Sequence, residues 1–377
     1  MSCPFVPEKD INILEVLEAY ELPATLVGAV RYGQGHINDT FCVLCQPQEG
    51  DCIRFILQGL SRAAFPHPEE LMENFIGVTS YLRERISENG GDPARETLSL
   101  VNTTDGKPFY TDSNSKVWRL TPFIEGTDCF QSATPALFEA SARAFGRFQY
   151  QLRDFPAATL HEPIVNFHNT EDRLQKFLAA LEADKHDRAK DVQAEIDFVL
   201  ARKADCSVAM QALRDGILPL RVTHNDTKLN NILIDRRTGE GICVIDLDTT
   251  MPGLSINDFG DSIRFGANHS KEDEKDLSKV NFDIGLYEAY TRGFLEGANG
   301  GLTAAELDYL PWGARLMTLE CGIRFLTDYL DGDHYFRTHY EGQNLDRCRT
   351  QFKLVSDMEA QFEQMKAIVA KYAGDAQ

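Results

Sequence analysis

The stretch that decides the fold is Thr223-His-Asn-Asp-Thr-Lys-Leu-Asn-Asn-Ile-Leu-Ile-Asp235, followed by Cys243-Val-Ile-Asp-Leu-Asp248. Its polar skeleton places Asp226 five residues before Asn231, and Asp246 ends the next apolar run. Three short apolar runs around these positions predict strands: Leu220–Thr223, Asn231–Asp235 and Ile242–Asp246. A solvated hairpin, in which Asp and Asn merely form turns, is the alternative. The spacing and the acidic residue at a strand end favour a functional site over a solvated hairpin.

Carboxylate and amide groups in this order are typical of phosphoryl-transfer enzymes that resemble protein kinases. In such a site Asp226 orients the attacking hydroxyl and accepts its proton, and Lys228 supplies a cation for the γ-phosphate of ATP. Asn231 and Asp246 offer the oxygen ligands that Mg²⁺ prefers. We therefore predict ATP and Mg²⁺ as cofactors, Asp226 and Lys228 as catalytic residues, and Asn231 and Asp246 as metal ligands. His224 is expected to hold the loop instead of moving protons.

Asp258-Phe-Gly260 spells the D-F-G triplet of protein kinases, yet it follows a segment that reads as a loop. Asp246 follows an apolar strand twenty residues after Asp226, an interval that fits two short strands and a turn. We therefore assign the metal to Asp246. Asp258 is expected to support the catalytic loop, while the roles of Asp248 and Asp261 stay open.

The N-terminal part is predicted to hold the nucleotide. Gly33 and Gly35 lie between two strands, where glycines let backbone N–H groups approach phosphates closely. Many hairpins carry two such glycines. The lysine expected on the third strand is missing, and Gln58 or Arg54 stands in its place. No G-x-x-x-x-G-K segment occurs, which excludes a P-loop enzyme.

Hydrophobic periodicity predicts an α+β fold with two lobes, a β-rich N-terminal lobe over 1–121 and a mostly helical lobe over 122–377. The predicted N-terminal strands are Val27–Val30, Thr40–Cys45, Cys52–Leu57, Leu98–Asn102 and Lys116–Thr121. Predicted helices cover 11–20, 69–90, 171–213, 273–297, 304–330 and 345–373. A further helix should begin at Thr134-Pro135, an N-cap followed by proline at the first helical position.

Composition limits the possible partners. The chain has 377 residues, with 38 Lys and Arg against 58 Asp and Glu, a net charge of −20. Such acidity argues against nucleic-acid binding, which depends on clustered cations. No run is apolar enough to cross a membrane, and the N-terminus lacks the pattern of a secretory signal. We expect a cytoplasmic protein with a small-molecule substrate, and nothing points to an obligate protein partner.

Nine cysteines are scattered along the chain, and only Cys42 and Cys45 form a C-x-x-C pair. A redox pair or half of a zinc site would use that spacing. Because the pair falls within a predicted strand, buried free thiols are the favoured interpretation.

With these residues in hand, the sequence resembles the aminoglycoside phosphotransferase-like kinases, and within them the N-acetylhexosamine 1-kinases. The matching stretches span most of the chain: Gly35–Asn38, Arg221–Leu233, Ile245–Thr249, Asp258–Ala267, Asp273–Val280 and Glu320–Leu330. The resemblance implies a two-lobed protein-kinase-like fold with ATP near the hinge residues Pro122, Phe123 and Ile124. It implies transfer of a phosphoryl group from ATP to the anomeric hydroxyl of GlcNAc or GalNAc.

The resemblance also implies that His36, Arg324 and Tyr335 grip the sugar, together with Asp226. Each has a plainer interpretation: His36 as a turn residue, Tyr335 as a loop aromatic, and Arg324 as the partner of a carboxylate four residues away on its helix. Two other functions stay open. One is a related kinase acting on an aminoglycoside, choline or homoserine, and the other is a catalytically silent, nucleotide-binding regulator.

Overall fold

The structure is a computed structural model that describes residues 12–33, 37–132 and 134–375. The chain divides into two compact units. The first comprises the chain up to Thr127 together with Leu160–Ile164, and the second comprises Asp128–Thr159 and the chain from Val165 onward. The predicted α+β class is confirmed, because the N-terminal region forms an antiparallel sheet and the C-terminal part is mostly helical.

The first unit is built on a five-stranded sheet with the order β1-β2-β3-β5-β4, in which neighbouring strands are antiparallel. Its strands are β1 (Thr25–Arg31), β2 (Asp39–Gln46), β3 (Ile53–Gly59), β4 (Tyr110–Thr111) and β5 (Val117–Pro122). Its helices are α1 (Ile13–Glu18), α2 (Pro68–Glu88) and α3 (Pro93–Glu96).

Alternation along the strands gives this sheet two different faces. Phe41, Val43, Phe55, Leu57 and Leu120 share one face and form a buried core with α1. Side chains point to opposite faces at successive positions, so the residues between them lie on the other face. That second face carries the polar register pair formed by Gln58 and Arg119.

The second unit contains the remaining helices and four short strands. The helices are α4 (Pro135–Gln151), α5 (Thr170–Ala183), α6 (Gln193–Ala201), α7 (Val208–Arg214), α8 (Ser255–Gly266), α9 (Ile284–Ala298), α10 (Ala304–Asp331), α11 (Gln343–Ala360) and α12 (Phe362–Asp375). A two-residue strand, β6 (Thr127–Asp128), lies where the chain passes from one unit into the other. The other strands form two antiparallel pairs, β7 (Arg221–Thr223) with β10 (Met251–Gly253) and β8 (Ile232–Asp235) with β9 (Gly241–Val244).

Glycines allow α8 and α10 to approach each other closely. A Cβ atom on Gly260 would lie 2.2 Å from the carbonyl oxygen of Gly313, and one on Gly313 would lie 2.2 Å from that of Ile256. Both distances are far below van der Waals contact. The glycine of the D-F-G triplet therefore serves helix packing, and the triplet lies inside α8.

Most predicted elements are present, including the N-cap at Thr134, whose side chain accepts a hydrogen bond from the Leu137 N–H. Several predictions were wrong in detail. The helix predicted over 345–373 is divided at Gln361 into α11 and α12. The segment 98–102 is not a regular strand, although the Val101 N–H bonds to the Leu120 carbonyl. The region 171–213 is broken into three α-helices. The helix predicted from 273 begins only at Ile284, because Asp283 caps it by accepting from two backbone N–H groups.

Cys42 and Cys45 are buried free thiols, as predicted. Over the ranges that the structure describes, no group of His, Cys, Asp and Glu side chains is arranged to hold a metal by itself, and no helix is long and apolar enough to cross a membrane.

Candidate active site

A buried carboxylate on α8 holds the backbone of residues 224–227, the loop that the sequence predicts to be catalytic and that is called the catalytic loop below. The two oxygens of Asp258 accept hydrogen bonds from the N–H groups of His224 at 2.9 Å and Asn225 at 2.8 Å. Gln149 donates to the same carboxylate at 2.6 Å. Burial raises the pKa of Asp258, and these donors oppose that shift. The predicted role of Asp258 as a support of the loop is confirmed, and it anchors Asn225 in a left-handed conformation with φ 64°.

His224 is a structural residue of the same loop. Its ring is fully buried and meets the rings of Phe145 and Phe148 edge-on. Nδ1 accepts the Asp226 N–H at 3.2 Å, so Nε2 carries the proton and donates to the Ile245 carbonyl at 2.9 Å. This neutral tautomer joins the loop to the end of β9, and the prediction that His224 holds the loop is confirmed.

Asp226 and Lys228 lie side by side. The Lys228 ammonium is 2.6 Å from the Asp226 carboxylate, and both side chains keep part of their surface exposed, 34% and 26% respectively. Burial disfavours the lysine charge, but Asp226 and Asp261 outweigh it and raise the pKa of Lys228. A permanent cation therefore lies next to a carboxylate that is still accessible to a small molecule.

Asn231 and Asp246 come together because their strands are paired. The Ile245 N–H bonds to the Asn231 carbonyl at 2.9 Å, which places Asp246 beside Asn231. Asn231 directs its amide nitrogen to Asp226, at 2.7 Å from the carbonyl and 3.2 Å from the carboxylate. The amide oxygen therefore faces away from Asp226. Asp246 follows β9 in a left-handed conformation with φ 60° and is exposed. Two oxygen donors on adjacent strands fit Mg²⁺, which takes its remaining ligands from phosphates and water.

A second acidic residue of α8 fixes the loop beyond Asp226. Asp261 accepts the Thr227 N–H at 3.1 Å and pairs with Arg264 at 2.9 Å. Although burial acts in the opposite direction, Arg264 and Lys228 hold the pKa of Asp261 below its usual range. Ser262 donates to the Thr227 carbonyl at 2.6 Å. Asp261, whose role the sequence left open, is therefore an anchor of the catalytic loop.

Arg324 and Tyr335 are brought together at the end of α10. The Arg324 Nη2 lies 3.4 Å from the Tyr335 hydroxyl, and its guanidinium faces the Tyr335 ring. Asp328 fixes this loop by accepting the N–H groups of residues 334, 335 and 336. The alternative interpretation, a pairing of Arg324 with a carboxylate on its own helix, is not observed among the described residues. Asp328 is engaged by that loop and Glu320 by other partners.

Glu320 of α10 is connected to the catalytic loop through His168. The Glu320 carboxylate lies 3.0 Å from Nδ1 of His168 and accepts the Thr170 hydroxyl at 2.8 Å. Nε2 of His168 lies 2.9 Å from the carbonyl oxygen of Asn225. Burial opposes the imidazolium, but Glu320 outweighs it and raises the pKa of His168. A buried ion pair thus joins the residue before Asp226 to the helix that carries Arg324.

The residues predicted to hold the nucleotide lie in the first unit. The Phe123 ring meets the Tyr32 ring edge-on at 5.8 Å and lies under the Arg54 guanidinium at 3.8 Å. The Phe123 N–H bonds to the Arg54 carbonyl. Pro122 and Ile124 flank Phe123 in the chain, and Gly33 follows Tyr32. Gly35 and His36 lie outside the described residues.

Gln58 occupies the position where a lysine was expected. Its side-chain oxygen accepts two hydrogen bonds from Arg119, at 3.1 Å from Nε and 2.9 Å from Nη2. The Arg119 side chain is buried and stacks on Phe75 of α2. Because the Gln58 side-chain oxygen faces Arg119, its amide nitrogen points away from Arg119. That nitrogen is a hydrogen-bond donor.

Residues 29–299 match the phosphotransferase enzyme family, which is well over half of the chain. The chain belongs to this family. The phosphotransferase is also similar to an aminoglycoside phosphotransferase from Alicyclobacillus acidocaldarius, with a TM-score of 0.57 and 14% identity over 100% of this chain and 98% of the other.

A microcompartment-associated aminopropanol kinase gives a TM-score of 0.56 at 16% identity, covering 93% and 96% of the two chains. A choline kinase from Cryptosporidium parvum gives 0.54 at 12% identity, covering 97% and 95%. At these identities the likeness concerns the fold, and it confirms the predicted kinase-like architecture.

Sequence reasoning missed several residues of the phosphotransferase site. Gln149, His168 and Arg119 each bond to a residue of the candidate site that is 57 to 109 positions away along the chain. None lies in a motif, so no local signal could have identified them. The sequence offered Glu320 only as a partner of Arg324, whereas in the structure the Glu320 carboxylate contacts His168.

Proposed function

We propose that this phosphotransferase transfers the γ-phosphoryl group of ATP to the anomeric hydroxyl of N-acetylhexosamines, GlcNAc or GalNAc, and releases ADP and the sugar 1-phosphate. The observation that carries the proposal is the contact between Arg324 and Tyr335, tied to the catalytic loop through Glu320 and His168. A guanidinium offers several N–H donors in a fixed plane, which suits the vicinal oxygens of a sugar.

In the proposed reaction, Asp226 accepts the proton of the sugar hydroxyl while that oxygen forms a bond to the γ-phosphorus. The bond between phosphorus and the bridging oxygen of ADP breaks, and the electron pair leaves with ADP. Lys228 lies 2.6 Å from Asp226 and can neutralise charge on the transferred group. Asn231 and Asp246 would hold Mg²⁺, which neutralises phosphate charge when bound.

Asp226 acts in this scheme mainly through its position. Most of the rate enhancement in phosphoryl transfer comes from positioning and from charge stabilisation. The loop is built for positioning, because two carboxylates of α8 and the His224 ring fix the backbone on both sides of Asp226.

The nucleotide is proposed to bind through the first unit. The hinge residues Pro122, Phe123 and Ile124 would contact the adenine, and the turn with Gly33 and Gly35 would cover the phosphates. The Gln58 amide, oriented by Arg119, would donate to a phosphate oxygen where other kinases use lysine. His36, which lies outside the described residues, is proposed as a further sugar-binding residue on the resemblance alone.

The test is ADP release with ATP and Mg²⁺ over a panel of acceptors: GlcNAc, GalNAc, glucose, choline, homoserine and an aminoglycoside. The proposal expects the highest kcat/KM for an N-acetylhexosamine and a product whose phosphate is on C1, as seen by phosphorus NMR. No turnover of either N-acetylhexosamine would refute the sugar specificity, and turnover of choline alone would replace it. No turnover with any acceptor, together with tight ATP binding, would favour the regulator.

A further inference from the structure

Two arginines of the second unit meet around Phe167. Nη2 of Arg173 donates to the Phe167 carbonyl oxygen at 2.7 Å. The Arg324 guanidinium lies 5.5 Å from the centre of the Phe167 ring. Arg173 comes from the start of α5 and Arg324 from the end of α10, so the two cations approach each other only in the folded protein.

This arginine pair lies close to the catalytic loop. His168 follows Phe167 in the chain and contacts the carbonyl oxygen of Asn225, the residue before Asp226. Its other ring nitrogen contacts Glu320, one helical turn before Arg324. The pair is therefore connected to the proposed catalytic base through a single buried histidine.

Among the described residues, no carboxylate is in direct contact with either arginine of this pair, although the charges of Glu320 and Asp172 act on Arg173 from a greater distance. Within the described ranges, neither Arg173 nor Arg324 forms a salt bridge, and Nε of Arg173 is buried without a hydrogen-bond partner. Glu320 is a buried acid on the same helix as Arg324, but its two oxygens are used by His168 and Thr170. Asp172 pairs with Lys176 at 2.6 Å. Burial and the charge of Arg324 lower the pKa of Arg173, which is the expected sign for two neighbouring cations.

We propose that Arg173 and Arg324 together make the acceptor site selective for groups that present oxygen lone pairs and exclude acceptors that carry an ammonium group. Arg173 is then a specificity-determining residue in addition to Arg324. The inference rests on the proposed function only in placing the acceptor beside Arg324 and Tyr335.

The chemistry of guanidinium explains the selectivity. Arginine has five N–H donors and no acceptor, so its ligands must supply lone pairs, as hydroxyl and acetamide oxygens do. An ammonium group supplies none and is repelled by both cations. Building repulsion against the wrong ligand is a general route to specificity. The acetyl group of an N-acetylhexosamine satisfies this rule, because it replaces the charge of an amino sugar with a carbonyl oxygen.

The test compares glucosamine with glucose, which differ by an ammonium group in place of a hydroxyl. Rates of ADP release give kcat/KM for each sugar, below the pKa of the glucosamine amine. For the wild-type protein we expect glucosamine to be roughly tenfold or more worse than glucose. R173Q should reduce that ratio several-fold, mainly through KM for glucosamine. R173K keeps the positive charge but not the planar set of guanidinium N–H donors, and it should keep the ratio.

The control is R214Q, which removes an exposed arginine that pairs with Glu171 at the start of the same helix. It changes the net charge equally but lies outside the pair, so the ratio should stay at the wild-type value. Equal ratios in R173Q and R173K would overturn the proposal. A wild-type protein that prefers glucosamine to glucose would overturn it too, whether or not any variant folds.

The two proposals can fail separately. If no N-acetylhexosamine is turned over, the proposed function is wrong, and the charge test moves to ethanolamine against ethylene glycol. Preference for the amine in that pair would also refute the charge selectivity, and preference for the diol would support it without the sugar assignment.

Discussion

The pair formed by His168 and Glu320 should contribute both stability and activity, and its removal is the sharpest test of the site's architecture. Both side chains are buried, and both nitrogens of His168 face oxygen acceptors, the Glu320 carboxylate and the Asn225 carbonyl. A ring with two acceptors satisfies both only as the imidazolium. His168→Asn and Glu320→Gln each leave the other member buried without its partner.

Breaking a buried ion pair from one side typically costs about 3–5 kcal/mol, since the remaining charge is neither solvated nor paired. For a unit of this size that loss corresponds to a fall in melting temperature of roughly 6–20 °C. The double variant should lose less unfolding free energy than the sum of the two single variants, by about 1–3 kcal/mol. In each single variant the remaining group is already unpaired, so removing it costs little more. Urea unfolding of the four proteins measures this coupling.

The pH dependence follows from the direction of the two shifts. The pKa of His168 is raised in the folded protein, so its contribution is complete below the unfolded value of about 6.5 and is lost as pH rises through the folded value. The pKa of Glu320 is lowered, chiefly by His168 once burial is overcome, so its contribution is lost only as pH falls below about 4.5. Between these limits the pair is intact.

We therefore expect wild-type stability to fall as pH rises above neutrality, and His168→Asn to flatten that fall. Turnover should fall with it, because the Asn225 carbonyl loses its donor next to Asp226. Strict additivity of the two single variants would refute the ion pair. An unchanged pH slope in His168→Asn would refute its protonated state.

Three further predictions concern the catalytic residues and the packing beneath them. Asp226→Asn should lower kcat by about 10²–10⁴ and leave ATP affinity nearly unchanged, as measured by ADP release and calorimetric titration; near-normal turnover would contradict its role as base. Asp246→Asn should raise the Mg²⁺ concentration needed for half-maximal rate, whereas Asp258→Asn should lower stability and kcat without shifting that concentration. The reverse pattern would move the metal to Asp258. Gly260→Ala should destabilise by about 1–3 kcal/mol, since its Cβ would lie 2.2 Å from a backbone carbonyl of α10. Gly374→Ala, in open space, is the matched control and should be neutral or stabilising in thermal unfolding.

The catalytic loop could be predicted from the sequence because its chemistry is local. Asp226, Lys228 and Asn231 lie within six residues, and the strands on either side read as apolar runs. The different positions of Asp246 and Asp258 could also be predicted from local pattern: Asp246 lies two residues after β9, whereas Asp258 lies inside α8. Short-range spacing is sufficient where a site is built from one hairpin.

The supports of that loop could not be predicted, because they depend on tertiary contacts. Arg324 illustrates the difference: its helical spacing offered two acidic partners, and the fold directs both of them elsewhere. Glu320 contacts His168, more than 150 positions earlier in the chain, and Asp328 accepts hydrogen bonds from the loop that follows its helix. Neither choice is visible in helical periodicity, which describes only neighbours on the same helix.

The net charge of −20 and the local charges near the loop therefore act on different length scales. Surface acids are screened within about 10 Å at moderate salt and affect mainly how a charged acceptor approaches. At the proposed acceptor site, Arg173 and Arg324 are partly shielded from solvent, and their charge acts at contact distance on whatever binds there. An acidic surface would attract an amine to the protein, but the two guanidinium groups would repel it at the binding site. On this proposal the acceptor is selected by two partly shielded cations, and the charge of the whole chain would not determine the class of acceptor.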